Sequence, residues 1–126
     1  MLKMFRLGAG LFAMGLCGAL VSPSAALAQS GEELFKDCVT CHSTQAGVNG
    51  VGPSLNGIFG RRIATVEGFR YSNILTAQKL DWTDELLDRF VADPQAMFRG
   101  NKMPYSGLSD PAQRKALIDW LKEATK

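Results

Sequence analysis

The sequence predicts a small all-α domain of three to five helices joined by long loops. The clearest sign is the C-terminal segment, where Leu117, Trp120, Leu121 and Ala124 recur at the spacing of one helix face. No segment alternates apolar and polar residues strongly enough to predict a strand. Residues 47–60 are rich in glycine and turn residues, which predicts loop. Loops that long in a small domain need an internal object to wrap around.

The first helix is expected over residues 31–41, where Leu34, Phe35 and Cys38 fall on one side. Residues 72–78 favour a second, short helix. Thr83 is a plausible N-cap for a third helix, whose inward side chains would be Leu86, Leu87, Phe90 and Val91.

Two prolines mark helix boundaries further along the chain. Pro94, after Asp93, ends the third helix because proline cannot continue the hydrogen-bond ladder. The last helix begins after Asp110, with Pro111 in its first turn and Gln113 at the capping-box position.

The N-terminal segment has the layout of a secretory signal peptide. Lys3 and Arg6 precede an apolar run of about 15 residues, and the small residues Ala26 and Ala28 frame a cleavage site. The run is shorter than the roughly 20 residues of a spanning helix, so an uncleaved anchor is the weaker alternative. We therefore expect residues 1–28 to be removed and residues 29–126 to form one domain. The domain would lie in the periplasm without stable membrane insertion.

The net charge and the length of the mature chain exclude some classes of function. Removal of Lys3 and Arg6 with the leader leaves 12 basic against 12 acidic residues, a net charge near zero. The basic residues form no stripe, which argues against nucleic-acid binding. A domain this small buries little surface and is marginal on its own, so it needs an additional stabilising group. We expect the protein to be a monomer.

The stabilising group is predicted to be a haem, because Cys38-Val39-Thr40-Cys41-His42 matches the C-x-x-C-H pattern of haem attachment. Two thiols three residues apart can bond the two vinyl groups of one haem c, and the next residue then offers its imidazole to the iron. A thioredoxin-like dithiol would need a βαβ pattern, which is absent. A zinc site would need a fourth ligand, and the mature chain holds no further Cys or His.

The second axial ligand of the iron is open at this level. The mature chain contains two methionines, Met97 and Met103. Met97 follows the third helix and suits packing, whereas Met103 lies in a flexible loop that could place its thioether over a haem face. The residues alone favour Met103 without excluding Met97.

The sequence as a whole resembles the class I c-type cytochromes, which are small bacterial and mitochondrial electron carriers. The resemblance covers residues 31–124 and rests on segments that follow one another at the family's spacing. They are residues 31–35, 38–42, 52–61, 68–72 and 100–105, together with Trp82, Leu117 and Trp120.

This resemblance implies a cytochrome c fold around one haem per chain. It implies thioether bonds at Cys38 and Cys41, axial ligation by His42 and Met103, and a hydrogen bond from His42 to the carbonyl of Pro53. It also implies that Gly31 and Phe35 cross the last helix at Leu117 and Trp120. Three further residues would bind or neutralise the haem propionates: Arg61, Tyr71 and Trp82.

The sequence departs from the mitochondrial pattern near the methionine. Phe90, Leu75 and Asn101 stand where tyrosine, asparagine and threonine are usual, which suggests a drier methionine pocket. Few lysines surround the expected haem edge, chiefly Lys36 and Lys102, so electrostatic steering of partners should be weak.

We therefore expect a soluble electron carrier rather than an enzyme. Its partners would dock at the exposed haem edge, and they could be a membrane oxidase, a reductase complex, a reaction centre or a dehydrogenase. Two alternatives remain at this level. One is a haem-based ligand sensor or peroxidatic enzyme with a labile sixth ligand, and the other is a fixed electron-transfer subunit of a dehydrogenase.

Overall fold

The computed structural model describes residues 27–126, so the predicted leader lies outside the described residues apart from Leu27 and Ala28. Within this range no strand forms, and Arg62 and Asp81 make one isolated antiparallel bridge. None of the described helices is long and apolar enough to cross a membrane. The predicted all-α class is confirmed with five helices: α1 (Gly31–Phe35), α2 (Asn73–Thr76), α3 (Asp84–Ala92), α4 (Pro94–Met97) and α5 (Pro111–Ala124).

Helix α1 is shorter than the predicted helix over residues 31–41. Its N-cap is Ser30, whose hydroxyl accepts a hydrogen bond from the Glu33 amide at 3.2 Å, and the helix ends at Phe35. Beyond it the chain continues as turns, with the amides of Cys38 and Val39 both bonded to the Phe35 carbonyl. These turns carry the attachment motif.

Helices α3 and α4 meet at Asp93. The Thr83 hydroxyl accepts from the Leu86 amide at 3.2 Å, so the predicted N-cap of α3 is confirmed. Pro94 ends α3 as predicted, but it also begins α4, which the Asp93 carboxylate caps by accepting from the Ala96 amide at 2.9 Å. Proline suits a first helical turn because its missing N–H needs no partner there.

Helix α5 begins as predicted, with half of the capping box formed. The Asp110 carboxylate accepts from the Gln113 amide at 2.9 Å. The Gln113 side chain does not return to Asp110; it donates instead to the side-chain oxygen of Gln29, also at 2.9 Å. The N-terminal segment is thereby tied to α5.

Helix α5 is the centre of the packing. It crosses α1 at the buried residue Gly31. The two helices approach so closely there that a Cβ at Gly31 would overlap the Ala116 carbonyl oxygen and the Trp120 Cβ. The rings of Phe35 and Trp120 lie 4.8 Å apart at this crossing, which confirms the predicted contact of α1 with α5. One apolar cluster fills the crossing, and a second joins α3 to the loops: Ile58, Ile63, Trp82, Leu87, Phe90, Phe98 and Ile118.

Candidate haem-binding site

A cavity of about 280 Å³ lies between these apolar clusters. This is near the lower end of the range for small-molecule sites, roughly 300–1,000 Å³. Its walls are mainly apolar side chains from α1, α3, α5 and the loops between them. All eight residues that the sequence analysis assigned to the haem line it: Cys38, Cys41, His42, Pro53, Arg61, Tyr71, Trp82 and Met103.

The His42 ring is held in one orientation by the loop that follows it. Its Nδ1 lies 2.7 Å from the Pro53 carbonyl oxygen. Since a carbonyl can only accept, Nδ1 carries the proton and Nε2 keeps its lone pair. Burial lowers the pKa of His42, and the bond to Pro53 opposes this less strongly. The ring is therefore held neutral, which is the metal-binding form.

Gly52 makes this arrangement sterically possible. A Cβ at this position would stand only 2.5 Å from Cε1 of the His42 ring. The glycine lets the backbone pass close to the ring and places the next carbonyl, that of Pro53, beside Nδ1.

The side chains of the two cysteines of the motif face the same cavity, and they are not joined by a disulfide. Before haem attachment, burial raises the pKa of the Cys38 thiol to about 11. The amides of Cys41 and His42 both bond to the Cys38 carbonyl, at 3.1 and 2.9 Å. This turn keeps all three side chains of the motif on one wall.

The structure separates the two candidate methionines. Met103 lies in the loop between α4 and α5 and lines the cavity. Met97 ends α4 and packs against the apolar cluster next to Phe98, and it is not part of the cavity wall. Leu75 and Phe90 also line the cavity, so its wall is apolar at two of the three departures noted in the sequence. The third, Asn101, turns away into the loop.

Arg61 and Tyr71 form part of the polar lining. The Arg61 guanidinium donates to the carbonyls of Asn56 at 2.6 Å and Ser54 at 3.1 Å, which pins it while leaving other N–H groups free. The Tyr71 hydroxyl accepts from the Val66 amide at 3.3 Å, so its own proton is available to a ligand. Burial lowers the pKa of Arg61 and raises the pKa of Tyr71.

Ser72 is a cavity residue that the sequence analysis missed. Its hydroxyl oxygen is buried and has no hydrogen-bond partner within residues 27–126. A buried hydroxyl without a partner is costly, so it indicates a polar group supplied by a ligand. The signal available in the sequence was its place directly after Tyr71, within a segment that carries the family resemblance.

These residues fit a covalently bound haem. The apolar walls suit a macrocycle, the two thiols suit its vinyl groups, and the neutral imidazole and the thioether are both iron ligands. The unpartnered Ser72 hydroxyl, with Arg61 and Tyr71, suits the carboxylates at the macrocycle's polar edge.

Comparisons with known proteins agree with this chemistry. The family model described as Cytochrome c matches residues 28–125. Cytochrome c2 of Blastochloris viridis is 42% identical over 115 residues, which cover 90% of this chain and 91% of that protein. Cytochrome c of Arabidopsis thaliana is 38% identical over 101 residues, covering 79% and 90% respectively.

The fold has a counterpart among solved structures. Cytochrome cH from Methylobacterium extorquens superposes with a TM-score of 0.69 at 35% identity, covering 74% of this chain and 94% of that one. The chain therefore belongs to the cytochrome c family of electron-transfer proteins, with one haem c attached through Cys38 and Cys41.

Proposed function

We propose that this protein carries one electron at a time between redox proteins, with His42 and Met103 as the two axial ligands. A bound haem supplies an iron that gains and loses one electron reversibly. The observation that carries the proposal is that the fixed His42 ring and Met103 line one cavity together with both thiols. Two protein ligands leave no axial position for a substrate, which favours a carrier over an enzyme.

The polar lining would hold the haem propionates. Arg61 retains free N–H donors beside its two backbone carbonyls, and Tyr71 retains its O–H proton. We assign Trp82, whose ring is 7% exposed and packs on Phe90, to the same role through its indole N–H. Ser72 joins this group because its buried hydroxyl has no other partner in the described chain.

Partners would dock at the mouth of the cavity. Val51 lines the cavity yet is 74% exposed, so it marks the rim. The exposed charged residues of the lining are Asp37, Arg70 and Lys102, which leaves little net charge there. We expect short-lived complexes whose association rate depends weakly on salt.

The proposed location is the periplasm, reached after removal of residues 1–28. The family match begins at residue 28, next to the predicted cleavage site. Intact-mass measurement of the protein purified from the periplasm should give a chain that begins at Gln29 and carries one haem. A mass that includes residues 1–28 would contradict the cleavage.

Carbon monoxide tests the axial ligands. The optical spectrum of the reduced holoprotein should stay unchanged when carbon monoxide is added, because Met103 fills the sixth position. The Met103→Ala variant should bind the gas readily, since alanine offers no donor. The matched Met97→Ala variant removes a methionine outside the cavity wall and should behave like the parent protein.

Each departure from this result has a distinct meaning. Ready binding by the parent protein would indicate an accessible sixth position and would support ligand sensing or peroxide chemistry instead. Binding by Met97→Ala but not by Met103→Ala would transfer the ligand role to Met97.

A further inference from the structure

The loop that carries Met103 is held by two side-chain amides rather than by regular secondary structure. Asn101 is 7% exposed, which is rare for a polar residue in a loop. Its side chain does not line the cavity. It points into the loop itself, where it lies between the end of α4 and the methionine.

Asn101 uses its amide as donor and acceptor together. Its Nδ2 donates to the carbonyls of Pro94 at 2.8 Å and Phe98 at 2.9 Å. Its Oδ1 accepts from the Met103 amide at 2.8 Å. Both N–H groups are used, so the side chain ties the start of α4 to the methionine backbone. Neither aspartate nor alanine can reproduce this set of bonds.

Gln95 holds the same loop from its outer side. Its Nε2 donates to the carbonyl of Asn101 at 3.0 Å and to that of Met103 at 3.4 Å. Its Oε1 accepts from the Gly100 amide at 3.2 Å. Both backbone groups of Met103, its N–H and its carbonyl, are therefore bonded to side-chain amides.

We propose that Asn101 and Gln95 are positioning residues that keep the Met103 thioether on the haem iron. This inference rests on the proposed role of Met103 as an axial ligand. A methionine–iron bond opens when the loop moves away from the iron. Six hydrogen bonds from two amides oppose that motion, and neither amide titrates, so the hold persists over a wide pH range.

The experiment measures how often the loop opens in the oxidised holoprotein. Added imidazole captures the iron whenever Met103 leaves, and the red absorption band of a sulfur–ferric iron bond disappears at that rate. In Asn101→Ala the rate should rise about tenfold or more, because the buried bond to the Met103 amide and both anchors are lost. Gln95→Ala should give a smaller rise, since its bonds are longer and exposed to solvent.

Two control variants separate positioning from general destabilisation. Thr125→Val removes a buried hydroxyl that donates to the Leu121 carbonyl at 2.7 Å, at the C-cap of α5 and outside the methionine loop. It should lower resistance to urea while leaving the imidazole rate within about twofold of the parent. Asn73→Ala removes an exposed asparagine and should change neither property.

Hydrogen exchange gives a second readout. In the reduced holoprotein, the Met103 and Gly100 amides should exchange faster in Asn101→Ala and Gln95→Ala respectively, while amides inside α5 keep their rates. Such local acceleration would support positioning by these two side chains.

The outcomes distinguish the two proposals. An unchanged imidazole rate in Asn101→Ala, with the sulfur–iron band present, would overturn the positioning role and leave Met103 as ligand. A rate that rises equally in Thr125→Val would also overturn it, because global stability would then govern opening. A parent protein that lacks the band would overturn both proposals.

Discussion

At the scale of the residue, one hydrogen bond decides the chemistry of His42. The Pro53 carbonyl can accept only from a protonated Nδ1, so Nε2 keeps the lone pair that the proposed iron ligation requires. Gly52 is required for this arrangement, because a side chain at this position would overlap the His42 ring. An imidazole fixed in this way is a stronger and better oriented donor than a free one.

Tyr71 leads to a prediction about alkaline stability. Burial raises its pKa above the ordinary value of about 10, so the folded state holds this proton more tightly than the unfolded state. The unfolded state binds fewer protons as pH rises through this range, and stability falls. Tyr71→Phe should therefore lose less stability than the parent between about pH 9 and pH 11 in urea titrations of the holoprotein.

Tyr105, the second tyrosine of the chain, should respond to alkaline pH in the same direction as Tyr71. Burial also raises the pKa of Tyr105, so Tyr105→Phe should flatten the alkaline decline in the same direction. The double variant should be flattest. Equal slopes for the parent and Tyr71→Phe would contradict a tighter hold on the Tyr71 proton.

At the scale of the element, short helices are stabilised by caps and by one close crossing. Thr83, Asp93 and Asp110 each accept a hydrogen bond from the first turn of the helix that follows. Such caps are worth about 1 kcal/mol each, which matters in helices of four to fourteen residues. The crossing of α1 with α5 adds the tertiary contact that so short an α1 requires.

Gly31 sets the distance between these two helices. In Gly31→Ala the new methyl group would overlap a backbone carbonyl of α5, which cannot move aside as a side chain could. We expect a loss of about 1–3 kcal/mol in the free energy of unfolding, measured by guanidinium denaturation of the holoprotein. The exposed neighbour Glu32→Ala should stay within about 0.5 kcal/mol. Similar values for the two variants would contradict a close crossing.

At the scale of the whole molecule, the haem cavity interrupts what would otherwise be one core. The cluster at the α1–α5 crossing and the cluster around Trp82 and Phe90 share only partly buried residues such as Leu55 and Phe59. The apolar wall of the cavity lies between them. A bound macrocycle would complete the core, which explains why long loops suffice for the rest of the chain.

Loss of haem attachment should therefore abolish cooperative folding. The variant with both Cys38→Ser and Cys41→Ser cannot form either thioether, and its apolar cavity would remain exposed to water. We expect no cooperative thermal transition by circular dichroism and a reduced helix signal. Val39→Ala, at the exposed position between the two cysteines, keeps both thiols and should unfold cooperatively. A sharp transition in the double serine variant would show that the protein core suffices.

Features that depend on a few neighbouring residues were predictable from the sequence. The attachment motif, the caps Thr83 and Asp110 and the apolar face of α5 all lie within one or two helical turns. The helix predicted over residues 31–41 was too long, because local apolar spacing shows which side chains share a face and does not show where the regular helix ends. Only half of the capping box predicted at Gln113 forms. The Gln113 side chain bonds instead to Gln29, which is distant in sequence and could not be identified from local pattern.

The sequence by itself determined the all-α class, the attachment motif and the ends of the longer helices, because each depends on short-range backbone and capping interactions. The family resemblance already implied Met103 as the ligand, and the tertiary structure placed Met103, and not Met97, in the cavity wall. It also left the Ser72 hydroxyl without a partner and turned Asn101 into a brace for the methionine loop. These features depend on which distant segments meet when loops close around a shared cavity, and such meetings leave no periodic signal in the chain.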